Sequence, residues 1–171
     1  MARRGFLARL TAWPGGVRFG MRARPKPRPA SIDVSANPGS VTVADLTNAE
    51  WRQRLTPDQY HVLREAGTER RGSSRLNHEK REGDYVCAGC GQVLFHSKWK
   101  YNSGTGWPSF FDVIHEHIGT KDDHKLFVTR TAYHCARCGG HQGHVFDDGP
   151  QPTGLRYCNN GCALEFHPTD A

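Results

Sequence analysis

Cys87-Ala88-Gly89-Cys90-Gly91 and Cys135-Ala136-Arg137-Cys138-Gly139 are near copies of one another. Each sets two thiols at the tip of a tight turn, and the glycine lets the backbone curl round a ligand. Together they supply the four sulfurs of a closed tetrahedral zinc site, whose role is structural because no coordination position stays open. The 44 residues between Cys90 and Cys135 exceed the roughly 15–20 of a compact zinc ribbon. The two knuckles are therefore expected on distant strands that the metal staples together. A redox C-x-x-C pair and stapling disulfides are the competing readings, and the duplication with flanking glycines favours the metal.

Outward from these pairs, the chain has 171 residues, of which 36% are hydrophobic. That is enough for one domain and a tail. No apolar run approaches the roughly 20 residues of a membrane-spanning helix. The net charge is +6, yet residues 1–32 hold 8 Lys/Arg and no acid, so the rest has 15 basic and 17 acidic residues, a net of −2. The basicity belongs to the tail. Residues 1–45 read as a basic, proline-rich extension, extended through Arg22–Pro29. Arg3-Arg4 resembles the start of a twin-arginine export signal, but Arg9 and Pro14-Gly15-Gly16 interrupt the apolar run that should follow. A cytoplasmic protein is expected, with export or organelle import through residues 1–30 as the alternative.

The folded body is expected over 46–168, with 169–171 as a short tail. Thr47-Asn48-Ala49-Glu50 and Thr56-Pro57-Asp58-Gln59 fit capping boxes and predict two helices. The second should turn Tyr60, Leu63 and Ala66 to a core and stop at Gly67. Beyond it come short strand-like runs broken by Gly, Pro and Asn: 84–86, 92–95, 111–118, 125–133, 144–146, 154–158 and 163–166. In the run 125–133, Leu126 and Val128 alternate with Phe127 and Thr129. The expectation is a mainly β, antiparallel body behind a short helical lead.

Cys158 and Cys162 lie outside the paired cysteines. Arg156 is two residues from Cys158 on the same strand face, and a nearby cation lowers a thiol's pKa. Asn160 shares that face and offers amide donors. His141-Gln142-Gly143-His144-Val145-Phe146-Asp147-Asp148 gathers two imidazoles and two carboxylates beside the second knuckle. Ser103-Gly104-Thr105-Gly106-Trp107-Pro108-Ser109-Phe110 puts Trp107 and Phe110 on a glycine-hinged loop suited either to an apolar substrate pocket or to a core aromatic behind a turn.

With the two knuckles, the loop 103–110, Gly143-His144-Val145-Phe146 and the run Gly149–Cys158 in this order, residues 47–168 resemble the methionine-R-sulfoxide reductases, the B-type Msr family. The resemblance implies two antiparallel sheets, one structural Zn2+ and reduction of the R epimer of methionine sulfoxide in oxidised proteins, a repair of oxidative damage. It makes Cys158 the nucleophile that becomes a sulfenic acid, and His141 and His144 the proton donors. Trp107 becomes the wall that holds the substrate methyl group, with Phe110 as a further substrate-binding residue. Asp148 and Arg156 organise the site, and Asn160 bonds substrate or water. Thioredoxin or a small thiol is the implied reductant, and a monomer without specific nucleic-acid binding is expected.

The chain departs from the family at Thr105 and at Asn159. Thr105 stands where many members carry a resolving cysteine. Cys162 is the remaining candidate for that role. In a continuous strand over 156–166, however, four residues would part it from Cys158 by about 13 Å, against at most about 7 Å for a disulfide. The expectation is a one-cysteine enzyme recycled by an external thiol. At Asn159 the family prefers an aliphatic residue, so a polar side chain there should face solvent or disturb packing behind the nucleophile. Three other functions share parts of this pattern. A zinc-ribbon binding module, for nucleic acid or oxidised protein, leaves Cys158, His141 and His144 without a purpose. A zinc hydrolase needs an open metal position. An inactive relative that only binds oxidised proteins would owe its inactivity to Thr105 and Asn159.

Overall fold

The computed structural model describes residues 42–123 and 130–169. The basic extension lies outside the described residues up to position 41, as does the expected alternation of Leu126–Thr129. Helix α1 spans Asn48–Arg54 and helix α2 spans Pro57–Glu65. Both capping boxes form. The Thr47 hydroxyl accepts from the Glu50 N–H at 3.3 Å while the Glu50 carboxylate accepts from the Thr47 N–H at 2.7 Å. Thr56 and Gln59 repeat the exchange at 3.2 and 3.0 Å, with Pro57 at the first helical position. These bonds satisfy N–H groups that a helix start otherwise leaves without partners. Helix α2 ends at Ala66, in the left-handed conformation, one residue before the expected Gly67. Ala66 serves as that cap, and Tyr60, Val62 and Leu63 form the buried face.

Among the described residues nine strands follow: β1 Gly83–Cys87, β2 Val93–His96, β3 Lys100–Tyr101, β4 Ser109–Phe110, β5 Ile118–Asp123, β6 Arg130–Cys135, β7 His141–Phe146, β8 Arg156–Asn159 and β9 Leu164–Pro168. They build two antiparallel sheets, ordered β2-β1-β9 and β3-β4-β8-β7-β6-β5. The expected fold class holds. One expected strand changes. Most of 111–118 is not a strand. The Phe111 and Ile114 N–H groups donate to the Trp99 and Leu94 carbonyls, and a 3-10 turn occupies His115–His117, so those backbone groups are satisfied outside a ladder. The expected runs 154–158 and 163–166 form separate strands, because Gly161–Ala163 makes a 3-10 turn between β8 and β9.

Aromatic rings fill the space between the sheets. Phe95 stacks on Phe110 at 4.0 Å, Tyr85 meets Phe110 edge-on at 4.9 Å, and Tyr133 meets Tyr157 edge-on at 5.6 Å. The Tyr133 hydroxyl donates to Asn159 Oδ1 at 2.5 Å. Asn159 Nδ2 in turn donates to the Asn160 carbonyl at 2.7 Å and to Gln142 Oε1 at 3.4 Å. Asn159 has 0% exposure. The sequence suggested that it faces solvent or disturbs packing behind Cys158; it is instead buried and paired, because Tyr133 and Gln142 supply its partners. Tyr133→Phe should destabilise the protein by about 1–3 kcal/mol, since Asn159 Oδ1 would be left buried without a donor. Urea unfolding of the two proteins reads this directly, and an unchanged midpoint would remove the bond from the account of stability.

Candidate active site and metal centre

Cys158 sits in β8 with Ser109 of β4 opposite it on one side and His144 of β7 on the other. Directly opposed residues of an antiparallel pair share a sheet face with Cβ atoms about 4.5–5.5 Å apart. The thiol and the imidazole are thus set together by register. Gly143 makes the approach of β7 to β8 possible: a Cβ there would lie 1.9 Å from the Cys158 carbonyl oxygen. The His141 and His144 rings are 5.4 Å apart, close to edge-on. His144 Nε2 lies 2.8 Å from Asp123 Oδ2, which also accepts from Arg130 at 2.8 Å.

Arg156 is buried, and its guanidinium grips Asp148 through two bonds of 2.7 and 2.9 Å beneath a stacking contact with Phe146. This fork holds the Asp148 carboxyl below the usual carboxylate range. The Cys158 thiol is pushed up by burial, against the pull of the Arg156 cation and of hydrogen bonds from the Thr105 and Arg156 side chains. Thr105, which stands where the family often has a second thiol, is therefore a neighbour of Cys158. Trp107 is half-buried, and its indole N–H donates to the Glu69 carbonyl at 3.3 Å. Phe110 has 0% exposure and stacks inside the core. Its expected substrate contact is corrected: β4 turns the ring inward, where it presents no face to a ligand.

Asn160 is buried and engaged at both ends of its amide. Its Oδ1 accepts from the Glu69 N–H at 3.0 Å and its Nδ2 donates to the Gln142 carbonyl at 2.9 Å. Cys162 points elsewhere. Its N–H donates to Glu69 Oε2 at 2.9 Å, its sulfur lies 3.9 Å from the Asp58 carbonyl, and burial together with the Glu69 charge pushes its thiol up to about 12. The structure thus gathers Cys158, His141, His144, Arg156, Asp148, Asn160 and Trp107 around one corner of the larger sheet. It adds Glu69, Asp123, Thr105 and Gln142, of which the sequence motifs had marked none as site residues.

The family-model comparison matches residues 55–168 to the SelR domain. The chain belongs to the SelR family. Among similar proteins, the peptide methionine sulfoxide reductase MsrB of Methanosarcina barkeri is 55% identical over 123 residues, 71% of this chain and 87% of the relative. The MsrB of Bradyrhizobium diazoefficiens is 52% identical over 120 residues, 70% of this chain and 86% of the relative. The mouse mitochondrial methionine-R-sulfoxide reductase B3 is 50% identical over 127 residues, covering 74% of this chain and 50% of that protein.

In this SelR domain the four paired cysteines converge as expected, and their sulfurs all lie within 4.8 Å of one another. Cys87 and Cys138 are 3.7 Å apart, Cys90 and Cys135 3.5 Å. A tetrahedron with bonds of about 2.3 Å has edges of about 3.8 Å, so the spacing fits an ion bound by four thiolates. Four thiols at this spacing suit a divalent ion, which would take all of them as thiolates. Helix α2 seals the site, with Arg64 Nη1 donating to the Cys138 carbonyl at 2.9 Å, and Gln142 Nε2 donates to Cys87 Sγ at 3.3 Å. Cys135→Ser should reduce bound metal from about one ion per chain to about none and lower the melting temperature, because binding of the ion contributes to folding. Elemental analysis beside a thermal melt tests this; full metal content in the variant would count against the four-sulfur site.

Proposed function

We propose that this chain reduces the R epimer of methionine sulfoxide in oxidised proteins to methionine, with Cys158 as nucleophile. The observation that carries the reading is the His144–Cys158 cross-strand pair, in a SelR domain, beside a half-buried tryptophan on a glycine-hinged loop. The Cys158 sulfur attacks the sulfoxide sulfur and the sulfur–oxygen bond breaks. The protonated oxygen leaves as water, and a water then attacks the Cys158 sulfur and breaks the transient sulfur–sulfur bond, so that methionine leaves and Cys158 becomes a sulfenic acid. The sulfoxide oxygen must be protonated as its bond breaks, and His141 and His144 are the donors suited to neutral pH. Asp123 orients the His144 ring. Arg156, fixed by Asp148, stabilises the thiolate, and Trp107 walls the methyl group.

Two external thiols then return the enzyme to its starting state. The first displaces hydroxide from the sulfenic sulfur as water, and the second releases Cys158 as a mixed disulfide becomes a free one. Thr105 has no thiol to offer, and Cys162 is engaged with Glu69 and Asp58. Thioredoxin or a small thiol is therefore the reductant in this reading. Cys87, Cys90, Cys135 and Cys138 would hold zinc, the ion that four sulfur donors favour, and it would brace the fold without entering the reaction. Unpaired cysteines gathered for a metal suit a reducing compartment, which supports the cytoplasm. No helix among the described residues is long and apolar enough to cross a membrane. A zinc-ribbon binding module is not favoured, since it gives the gathered Cys158, His141 and His144 no task.

Turnover of blocked methionine sulfoxide with dithiothreitol, R and S epimers assayed apart, tests the reading. The wild type and Cys162→Ser should consume the R epimer alone, and Cys158→Ser should consume neither while keeping its metal and its melting curve. Activity in Cys158→Ser would sink the mechanism. The pH dependence has a defined sign. Burial raises the Cys158 pKa, so its alkylation by iodoacetamide should climb with pH through a midpoint above that of a free thiol. Arg156→Gln removes a cation that favours the thiolate, and its midpoint should move further up. A shift downward would contradict the assigned role of Arg156.

A further inference from the structure

Glu69 lies between α2 and the 3-10 turn Arg75–His78, in none of the motifs that mark the site. Yet every polar group it owns is bonded to a piece of that site. Its carbonyl accepts from the Trp107 indole N–H at 3.3 Å, and its own N–H donates to Asn160 Oδ1 at 3.0 Å. Its carboxylate takes the Gly161 N–H at 2.7 Å on one oxygen and the Cys162 N–H at 2.9 Å on the other. We propose that Glu69 is the positioning residue of the site, locking the Trp107 wall and Asn160 to the turn that follows the nucleophile strand. The inference rests on the proposed reductase reading and assigns a role to a residue outside it.

The rest of the segment points the same way. The Gly72 N–H and Asn77 Nδ2 both donate to the Gly106 carbonyl, at 2.9 and 3.0 Å, and Arg71 Nη2 donates to the Gly104 carbonyl at 3.1 Å. Arg71 packs so closely on Gly106 that a Cβ there would lie 2.5 Å from its Cγ. A loop with glycines at 104 and 106 has little stiffness of its own. The position of Trp107 is therefore set by residues 69–77, and residues 69–77 are fixed to the nucleophile side through the Glu69 carboxylate. Bonds from backbone N–H groups to an ionised carboxylate are among the stronger ones available.

Glu69→Gln separates this role from simple burial. Glutamine keeps the length and one acceptor oxygen but turns an N–H2 toward the Cys162 or Gly161 N–H, donor against donor. The loosened anchor should raise KM for the R sulfoxide by about tenfold while kcat changes by less than about threefold, the pattern of lost binding rather than lost chemistry. Iodoacetamide should still modify Cys158 at the wild-type rate, because Arg156 and Thr105 are untouched. Glu69→Asp, which keeps the charge but reaches less far, should fall between. Solvent exchange of the Trp107 indole N–H, followed by NMR in the full chain, reads the link without turnover and should quicken in Glu69→Gln. A lower melting temperature with wild-type KM and unchanged indole exchange would overturn the proposal and leave Glu69 a stability residue. If the wild type itself turned over neither epimer, the reductase reading would fail, and the indole exchange alone would still decide the positioning role.

Discussion

Four sulfurs hold the two sheets in register. Cys87 ends β1 in the three-stranded sheet and Cys135 ends β6 in the six-stranded one, and each knuckle turns back within three residues to present its second thiol. A metal held by both knuckles would tie the ends of strands that ring packing and the Gln142–Cys87 bond already join across the layers. The helical lead depends on the same point. Trp51 of α1 packs on the first knuckle, where a Cβ at Gly89 would lie 3.5 Å from its ring, and Leu63 of α2 packs on Gly140 beside the second. The two capped helices thus serve as a lid over the sulfur cluster.

From this cluster a chain of buried polar groups runs to the nucleophile strand. Gln142 donates to Cys87 Sγ and accepts from Asn159, Asn159 accepts from Tyr133, and Cys158 is the next residue along β8. Buried polar groups are costly when unpaired and specific when paired. An apolar residue at 159 would pack without dictating direction, whereas this arrangement fixes the rotamers of three side chains behind the thiol. The metal end and the reactive end of the sheet therefore share one set of hydrogen bonds, in addition to the covalent run of β7.

What was legible in the sequence divides along contact range. The capping boxes at Thr47 and Thr56 and the two cysteine knuckles are written in four or five consecutive residues, and their geometry follows almost directly. Cys158 and His144 were recognisable as motif members, but their pairing needed the β7–β8 register. Glu69 and Asp123 could not be found, because their partners are 91 and 21 residues away and neither lies in a repeated or spaced pattern. The reading of Asn159 failed for the same reason: its compensating donor, Tyr133, is distant in sequence and looked like an ordinary core aromatic. Phe110 was misplaced because strand alternation was not resolved over a two-residue strand, where a single step decides between pocket and core.

The break of β8 at Asn159 also changes the argument about the second thiol. In a continuous strand Cys162 would be separated from Cys158 by length alone. In the folded chain it is separated by direction: the 3-10 turn at Gly161 carries Cys162 against Glu69 and Asp58, while Cys158 faces Thr105 and Arg156. The turn itself is pinned, since a Cβ at Gly161 would lie 1.9 Å from Ser74 Oγ. Bringing the two sulfurs together would require releasing Glu69 from both turn amides, and with it Asn160 and Trp107. A resolving step through Cys162 would thus dismantle the substrate wall in every cycle. An external thiol meets the partly buried Cys158 with that wall intact, and this is the physical reason the proposed cycle closes from outside.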